Sequence, residues 1–333
     1  MAPVNDSVKQ DGSKNLVWTA FHNLSSPSQA SMYIILLTLA ILGNTTVVGV
    51  IGNSVIREHG GAPNSDIIIF NMALSNLLVS LMRNTPLALS DWAYQLQASK
   101  ALCQFLMGVW MWLRSVNVWS TFFLSAFHLL TLRRMSPTSG TRTLGVPKTL
   151  LLSLSLIWLL NYICSFPAHI FSTNGGANAT ERLMLVSSTT RPVLHCVWNF
   201  PSLSSGLAFA TTSIVIHEIT PIVLMCFTSL CSLYTLYNHR RLTPFEQNAT
   251  VIKHVPAEIR AAKVILALIM LFVTSWGTSV ISVTYFNYNN SSSIDFLLVI
   301  ARFSNIIFLA LSPAALAFGH RRLRAFIKSM LTY

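Results

Sequence analysis

Residues 31–56 read SMYIILLTLAILGNTTVVGVIGNSVI, a stretch that contains no charged side chain. About 20 consecutive apolar residues in a helix are enough to cross the hydrocarbon core of a bilayer. Further stretches of the same character follow at Asp66–Ser90, Cys103–Leu132, Thr149–Phe171, Ser213–Tyr237, Ile259–Tyr285 and Phe296–Phe318. The sequence therefore predicts an all-α membrane protein that is a bundle of seven transmembrane helices.

The composition agrees with this fold class. Hydrophobic residues make up 53% of the 333 residues and charged residues 10%, whereas charged residues are about 25% of an ordinary soluble domain. We expect an extracellular N-terminal segment at 1–30, a transmembrane domain at 31–318 and a tail at 319–333. Residues 1–29 lack the apolar core of a cleavable signal peptide, so the first span is expected to direct insertion.

The distribution of cations predicts the orientation of the bundle. Alternate connections and the tail are rich in arginine and lysine, including Arg133, Arg134, Arg142 and Lys148, then Arg240, Arg241, Lys253, Arg260 and Lys263, and finally Arg321, Arg322, Arg324 and Lys328. The positive-inside rule places these residues in the cytoplasm and the N-terminus outside. Anionic lipid and an acidic protein partner then account for the net charge of +12, which requires no nucleic acid.

Features of the predicted outer side are consistent with this orientation. Cys103 and Cys196 both face an oxidising compartment, where they can form a disulfide. Glycosylation signals also fall on that side, at Asn5, Asn23, Asn178, Asn289 and Asn290. The remaining cysteines lie inside spans and are interpreted as packing residues.

The sequence shows no pattern of an enzyme or a metal protein. It contains no zinc-ligand spacing, no glycine-rich phosphate loop and no nucleophile elbow, and His217-Glu218 lacks the second histidine of a zinc-protease helix. We therefore expect no metal, no cofactor and no enzymatic activity.

Ionisable residues inside the spans indicate where function lies, because charges at that depth are unfavourable and usually face the interior of a bundle. They are Arg83, Arg114, Glu218 and Arg302. Helical rise places Arg114 and Arg302 in the outer half of the bundle. Guanidinium groups there suit a ligand with a carboxylate, sulfate or phenolate group.

Two interpretations of these charges remain open. In the first, one arginine is held by Glu218 and the other contacts an anionic or polar ligand, with His217 and Trp276 nearby and Arg83 as a reserve candidate. In the second, Glu218 simply bridges helices through Arg114 or Arg302, since buried ions are normally paired. The excess of arginine over glutamate favours an anionic ligand over an amine.

Single residues typical of rhodopsin-like (class A) G-protein-coupled receptors occur in order along the spans. They are Gly43-Asn44, Trp158, Pro221, Trp276 and Pro313. With the outer cysteines, they give the chain a resemblance to that class. Other positions depart from its pattern: Asn76 stands where an acid is usual, and Phe127-His128-Leu129 stands where Asp-Arg-Tyr is expected.

These departures resemble the vomeronasal type 1 receptors, and within them the fish olfactory receptor class A-related branch. Two longer segments carry the same resemblance, APNSDIIIFNMALSN at residues 62–76 and WSTFFLSAFHLLTL at 119–132. The resemblance implies a receptor in the plasma membrane of chemosensory neurons. Such a receptor binds a small odorant or pheromone and activates a heterotrimeric G protein of the inhibitory class.

Alternative functions are less consistent with the sequence. Bitter taste receptors share some departures, but the outer cysteine pair and residues 62–76 favour the vomeronasal family. A membrane transporter would show internal repeats and broken helices, and no repeat is visible. A retinal-based pump needs a lysine in span seven, where the only cation is Arg302.

The predicted cytoplasmic side gives two further hypotheses. His128 replaces the arginine of Asp-Arg-Tyr, and we hypothesise that Arg133 and Arg134 contact the G protein or lipid head groups; solvated charges that only set topology are the alternative. In the tail, apolar residues recur at helical spacing among cations, at Leu323, Phe326, Ile327, Met330 and Leu331. This pattern predicts a short amphipathic helix on the inner membrane surface, with an unstructured basic tail as the alternative.

Overall fold

A computed structural model describes residues 27–58, 63–91, 98–134, 147–174, 196–242, 255–289 and 295–331. Within these ranges, seven helices are long and apolar enough to cross a membrane. These seven helices are α1 (Pro27–Arg57), α2 (Asn64–Val79, Ser80–Asn84 and Thr85–Asp91), α3 (Lys100–Arg134), α4 (Pro147–Ile170), α5 (Leu203–Ile214, Val215–Ile219 and Thr220–Leu242), α6 (Val255–Asn289) and α7 (Asp295–Gly319). A shorter helix, α8 (Arg321–Leu331), follows them. The predicted all-α bundle is confirmed.

The start of α5 differs most from the prediction. The helix begins at Leu203, well before the predicted Ser213, because Ser202 caps it. The Ser202 hydroxyl accepts a hydrogen bond from the Ser205 backbone N–H at 3.2 Å, and the Ser205 side chain accepts one from the Ser202 N–H at 3.3 Å. This reciprocal cap stabilises a first turn whose small polar residues give no hydrophobic signal.

Both α2 and α5 contain one π-helical turn, at Ser80–Asn84 and Val215–Ile219. Each turn is followed by Thr-Pro, and the threonine N–H bonds the carbonyl five residues earlier, Ser80 in α2 and Val215 in α5. A proline inside a helix clashes with the carbonyl four residues before it, and a widened turn relieves that clash. The two turns carry Arg83 and Glu218 at the same position relative to the proline.

Buried amide side chains link the middle of the bundle. Asn76 donates to the Asn44 side chain at 3.3 Å and to the Ser312 hydroxyl at 3.2 Å, joining α2 to α1 and α7. Asn117 of α3 donates to Asn76 Oδ1 and, at 3.1 Å, to a serine hydroxyl of α2. The amide at position 76 therefore forms a neutral network where the rhodopsin-like pattern has a carboxylate.

The family-typical residues Gly43 and Trp158 also have packing roles. A Cβ at Gly43 would lie 2.8 Å from Pro313 Cγ, so the glycine allows α1 to approach α7 closely. The Trp158 indole donates to Asn71 Oδ1 at 2.8 Å, which ties α4 to α2. These contacts explain why such residues mark the spans of this fold.

A two-stranded hairpin, absent from the sequence prediction, covers one end of the bundle. Strands β1 (Ser172–Asn174) and β2 (Cys196–Trp198) pair antiparallel, with Asn174 opposite Cys196. Cys196 forms a disulfide with Cys103 at the start of α3, as the sequence predicted. We call the end of the bundle that carries this disulfide the disulfide end, and the opposite end, where α8 lies, the tail end.

At the tail end, α8 is anchored to α1 and α2 by charged groups. His320 lies 3.1 Å from Asp66 Oδ1, and Arg322 lies 2.5 Å from Glu58 and 3.5 Å from Asp66 Oδ2. Leu323 is buried, whereas Ile327 and Met330 are exposed. The predicted short C-terminal amphipathic helix is thus present, with an apolar face outside the bundle.

Candidate ligand site

Arg114 and Glu218 form an ion pair between α3 and α5 in the half of the bundle toward the disulfide end. Both side chains are buried. The Arg114 guanidinium also lies 5.3 Å from the ring centre of Trp276 and 5.7 Å from that of Trp110, within the range of cation–π contact. The sequence left open whether Glu218 pairs with Arg114 or with Arg302, and in the structure it pairs with Arg114.

Arg83 of α2 is also buried and lies near Trp110. Its guanidinium is 4.8 Å from the Trp110 ring centre, so Arg83 and Arg114 both lie within cation–π distance of the same indole. Within the described ranges, Arg83 makes no ion pair with a carboxylate and its Nε–H has no hydrogen-bond partner. It lies within electrostatic range of Arg114, Glu218 and Arg302.

Arg302 of α7 packs against α1. Its guanidinium lies 4.2 Å from the ring centre of Tyr33, and the side chain is only partly buried. The Tyr33 hydroxyl donates to Asn84 Oδ1 at 3.1 Å, inside the π turn of α2. The tyrosine thereby connects Arg302 to the turn that carries Arg83.

His217 and Trp276 complete the set that the sequence predicted. Both are buried, and neither His217 Nδ1 nor Trp276 Nε1 has a hydrogen-bond partner among the described residues. The Trp276 ring stacks on Phe272, with centroids 5.3 Å apart and planes at 11°. Buried polar groups are normally bonded, so these unused groups are available to a ligand.

Sequence reasoning missed Trp110 and Tyr33. A signal for Trp110 existed, because it precedes Arg114 by one helical turn and so lies on the same face. A shared sequence pattern also marks the two π turns. A charged residue, any residue, threonine and proline follow one another at residues 83–86 and again at residues 218–221. Neither the closeness of α1 to α7 nor the Tyr33 contact is encoded in a local pattern.

The electrostatics of this cluster favour an anion. Among the described residues, Glu218 pairs with Arg114 and no carboxylate pairs with Arg83, and burying a charge without compensation is strongly unfavourable. Aromatic faces stabilise a guanidinium only partly, by about 0.5–2 kcal/mol. Bound acid groups would satisfy both the charge and the unused N–H donors.

Other predicted residues lie away from this cluster. His128 is buried in α3 toward the tail end. Arg133 is exposed near the end of the same helix, and Arg134 is the last residue of that helix. Asn289 is the last residue of α6, whereas Asn5, Asn23, Asn178 and Asn290 lie outside the described residues. No group of three or more His, Cys, Asp or Glu side chains in the described ranges could hold a metal ion.

Comparisons with known proteins agree with the fold. The profile of the family described as "7 transmembrane receptor (rhodopsin family)" matches residues 43–313. An olfactory receptor class A-like protein 4 of Danio rerio is 37% identical over 309 residues, which cover 91% of this chain and 89% of that protein. The chain therefore belongs to the rhodopsin family of seven-transmembrane receptors and is a G-protein-coupled receptor rather than an enzyme.

Proposed function

We propose that this protein is a chemosensory receptor of the vomeronasal type 1 family that detects a small acidic or strongly polar odorant or pheromone. Its similarity to an olfactory receptor class A-like protein along nearly the whole chain supports the chemosensory assignment. The segments at 62–76 and 119–132, and the replacement of Asp-Arg-Tyr by Phe127-His128-Leu129, support the narrower family. The disulfide and residues 62–76 favour it over the bitter taste receptors.

The observation that carries the ligand class is the cluster of Arg83, Arg114, Arg302 and Glu218, in which no described carboxylate pairs with the buried Arg83. Glu218 compensates Arg114 and no described carboxylate pairs with Arg83, so the acid group of a ligand is expected to contact Arg83, with Arg302 of α7 nearby. Arg302 is the more accessible of the two. A charge-assisted hydrogen bond from a guanidinium contributes about 1.5–3 kcal/mol.

The disulfide end is proposed to face the outside. A disulfide is stable in an oxidising compartment, and the basic connections and tail then lie in the cytoplasm under the positive-inside rule. The N-terminus is extracellular in this orientation, and the protein is a multi-pass protein of the plasma membrane of chemosensory neurons. The outer asparagine sequons are available for glycosylation.

Ligand binding acts through helix positions. A ligand shifts an equilibrium only by binding one state more tightly than the other. An anion that contacts α2 and α7 beside Trp110 also alters the field at Arg114, and thus the α3–α5 bridge to Glu218. We propose that agonists favour the arrangement in which this bridge is changed.

The tail end is proposed to bind an inhibitory-class heterotrimeric G protein. Arg133 is exposed at the end of α3 and suits an acidic surface. The lock built on the arginine of Asp-Arg-Tyr cannot form with His128 in that place, so other contacts set basal activity. The apolar face of α8 is proposed to rest on the inner leaflet.

The test is a ligand panel on cells that express the receptor. Acids, the matching amides and the matching amines are compared by inhibition of cyclic AMP accumulation. The acids are expected to be the most potent agonists, and Arg302→Ala is expected to weaken their potency about 10- to 150-fold, the equivalent of 1.5–3 kcal/mol. Lys100→Ala, an exposed cation at the disulfide end, is the matched control.

Two results would contradict the proposal. One is an agonist response that is equal for acids and their amides. The other is unchanged potency in both Arg302→Ala and Arg83→Ala when each variant reaches the cell surface normally.

A further inference from the structure

Arg83 presents a charge-balance problem that an incoming agonist alone does not solve. The side chain is buried, and no described carboxylate pairs with it. A buried cation without compensation is unfavourable whether or not an agonist is present. The ligand-free receptor must therefore also stabilise this charge.

Two buried N–H donors at Arg83 lack a hydrogen-bond partner among the described residues. The Arg83 Nε–H and the Trp110 Nε1–H are both buried without a hydrogen-bond partner among the described residues. The two side chains are neighbours, since the Arg83 Cζ lies 4.8 Å from the centre of the Trp110 ring. Two unused donors beside an uncompensated positive charge form an incomplete anion site. A water molecule would accept from the donors but would leave the charge uncompensated.

Two further guanidinium groups lie near Arg83. Arg114 and Arg302 lie within electrostatic range, together with Tyr33 and Glu218, and Glu218 contacts Arg114. The position of Arg83 in a π turn holds the guanidinium inside the bundle, because the widened turn alters the direction of the side chains it carries. A second protein carboxylate does not reach it within the described ranges.

We propose that Arg83 and Trp110 hold a small inorganic anion, chloride, in the ligand-free receptor, and that the acid group of an agonist displaces it. Chloride is abundant, monovalent and small enough to lie beside two N–H donors in a packed bundle. The proposal deepens the proposed function and relies on it only for the displacement by an agonist. It predicts that ligand-free receptor is stabilised by chloride and that agonist potency falls as chloride rises.

The test is the thermal unfolding of purified, agonist-free receptor in nanodiscs. At equal ionic strength, about 100 mM chloride is expected to raise the midpoint by about 5 °C over gluconate if the dissociation constant is in the millimolar range. Gluconate serves as the comparison because it is a much larger anion than chloride. Bromide is expected to replace chloride.

Variants separate this site from an adventitious one. Arg83→Gln is expected to abolish the difference between chloride and gluconate, whereas Lys100→Gln, which changes an exposed cation, keeps it. If Arg83→Gln does not fold, Arg83→Lys is expected to keep the chloride effect, and Trp110→Phe, which removes only the indole donor, is expected to require more chloride for the same shift.

Two outcomes would overturn the proposal. One is an equal unfolding midpoint for the wild type in chloride and gluconate. The other is a chloride effect of the same size in the wild type, in Arg83→Gln and in Trp110→Phe. Because this measurement contains no agonist, its failure is distinct from a failure of the acid-ligand hypothesis, which rests on the comparison of acids with amides and on agonist potency in Arg302→Ala and Arg83→Ala.

Discussion

Substituting Glu218 by glutamine tests the electrostatics of the ligand site most directly. The change keeps the size of the side chain and removes its charge, so Arg114 remains buried without its carboxylate partner. Breaking a buried pair by removing one member typically destabilises a protein by about 3–5 kcal/mol. We expect Glu218→Gln to unfold at a clearly lower temperature and to reach the cell surface poorly.

The double variant Arg114→Met/Glu218→Gln supplies the control. It removes both charges and retains comparable volume, so that no charge is left buried without its partner, which is the cause of the large loss in Glu218→Gln. We therefore expect it to regain most of the stability that Glu218→Gln loses. Thermal unfolding of the two single variants and the double variant completes a double-mutant cycle.

The reasoning is refuted by either of two results. If Glu218→Gln unfolds at the wild-type temperature, the ion pair does not compensate a buried charge. If the losses in the two single variants simply add in the double variant, Arg114 and Glu218 are not coupled, and the arginines are then each stabilised in another way.

Three further predictions concern other parts of the molecule. Cys103→Ser is expected to lower surface expression through a loss of about 2–4 kcal/mol; equal expression of this variant and wild type would contradict the stabilising role of the disulfide. Gly108→Ala places a methyl group against the imidazole of His169 and is expected to lower the unfolding temperature by the equivalent of about 1–3 kcal/mol. The double variant Gly108→Ala/His169→Ala is expected to regain this stability, and a failure to do so would show that another neighbour causes the loss. Replacing Arg133 and Arg134 by glutamine is expected to reduce G-protein activation in a nucleotide-exchange assay at unchanged surface level. Lys263→Gln, which changes an exposed cation near the start of α6, is the control. Full activation in the double variant would mean that the two arginines act only as topology signals.

The sequence predicted the spans because the membrane imposes a simple local requirement, a long apolar helix, that can be counted along the chain. It failed at the start of α5, since a serine cap and not hydrophobicity begins that helix. It also gave no hint of the hairpin β1–β2, because three-residue strands depend on pairing across a long stretch of sequence. Local patterns are informative only where the governing interaction is local.

The candidate site was predicted in part for the same reason. Ionisable residues in the spans are conspicuous, so Arg83, Arg114, Glu218 and Arg302 could be identified without a structure. Which arginine meets Glu218 depends on the rotation of α3 and α7 about their axes, and a π turn in α5 changes that rotation for Glu218. Tyr33 was missed because its role arises from the packing of α1 against α7.

The π turns of α2 and α5 also have a consequence for how related receptor sequences are aligned. Losing one residue from a regular helix rotates everything beyond it by about 100° and disrupts its packing. A π turn already holds one extra residue as a local widening, so losing that residue restores a continuous α-helix and keeps both flanks in place. Positions 80–84 and 215–219 are thus sites where relatives can differ in length inside a membrane span, and a gap of one residue there is structurally permitted.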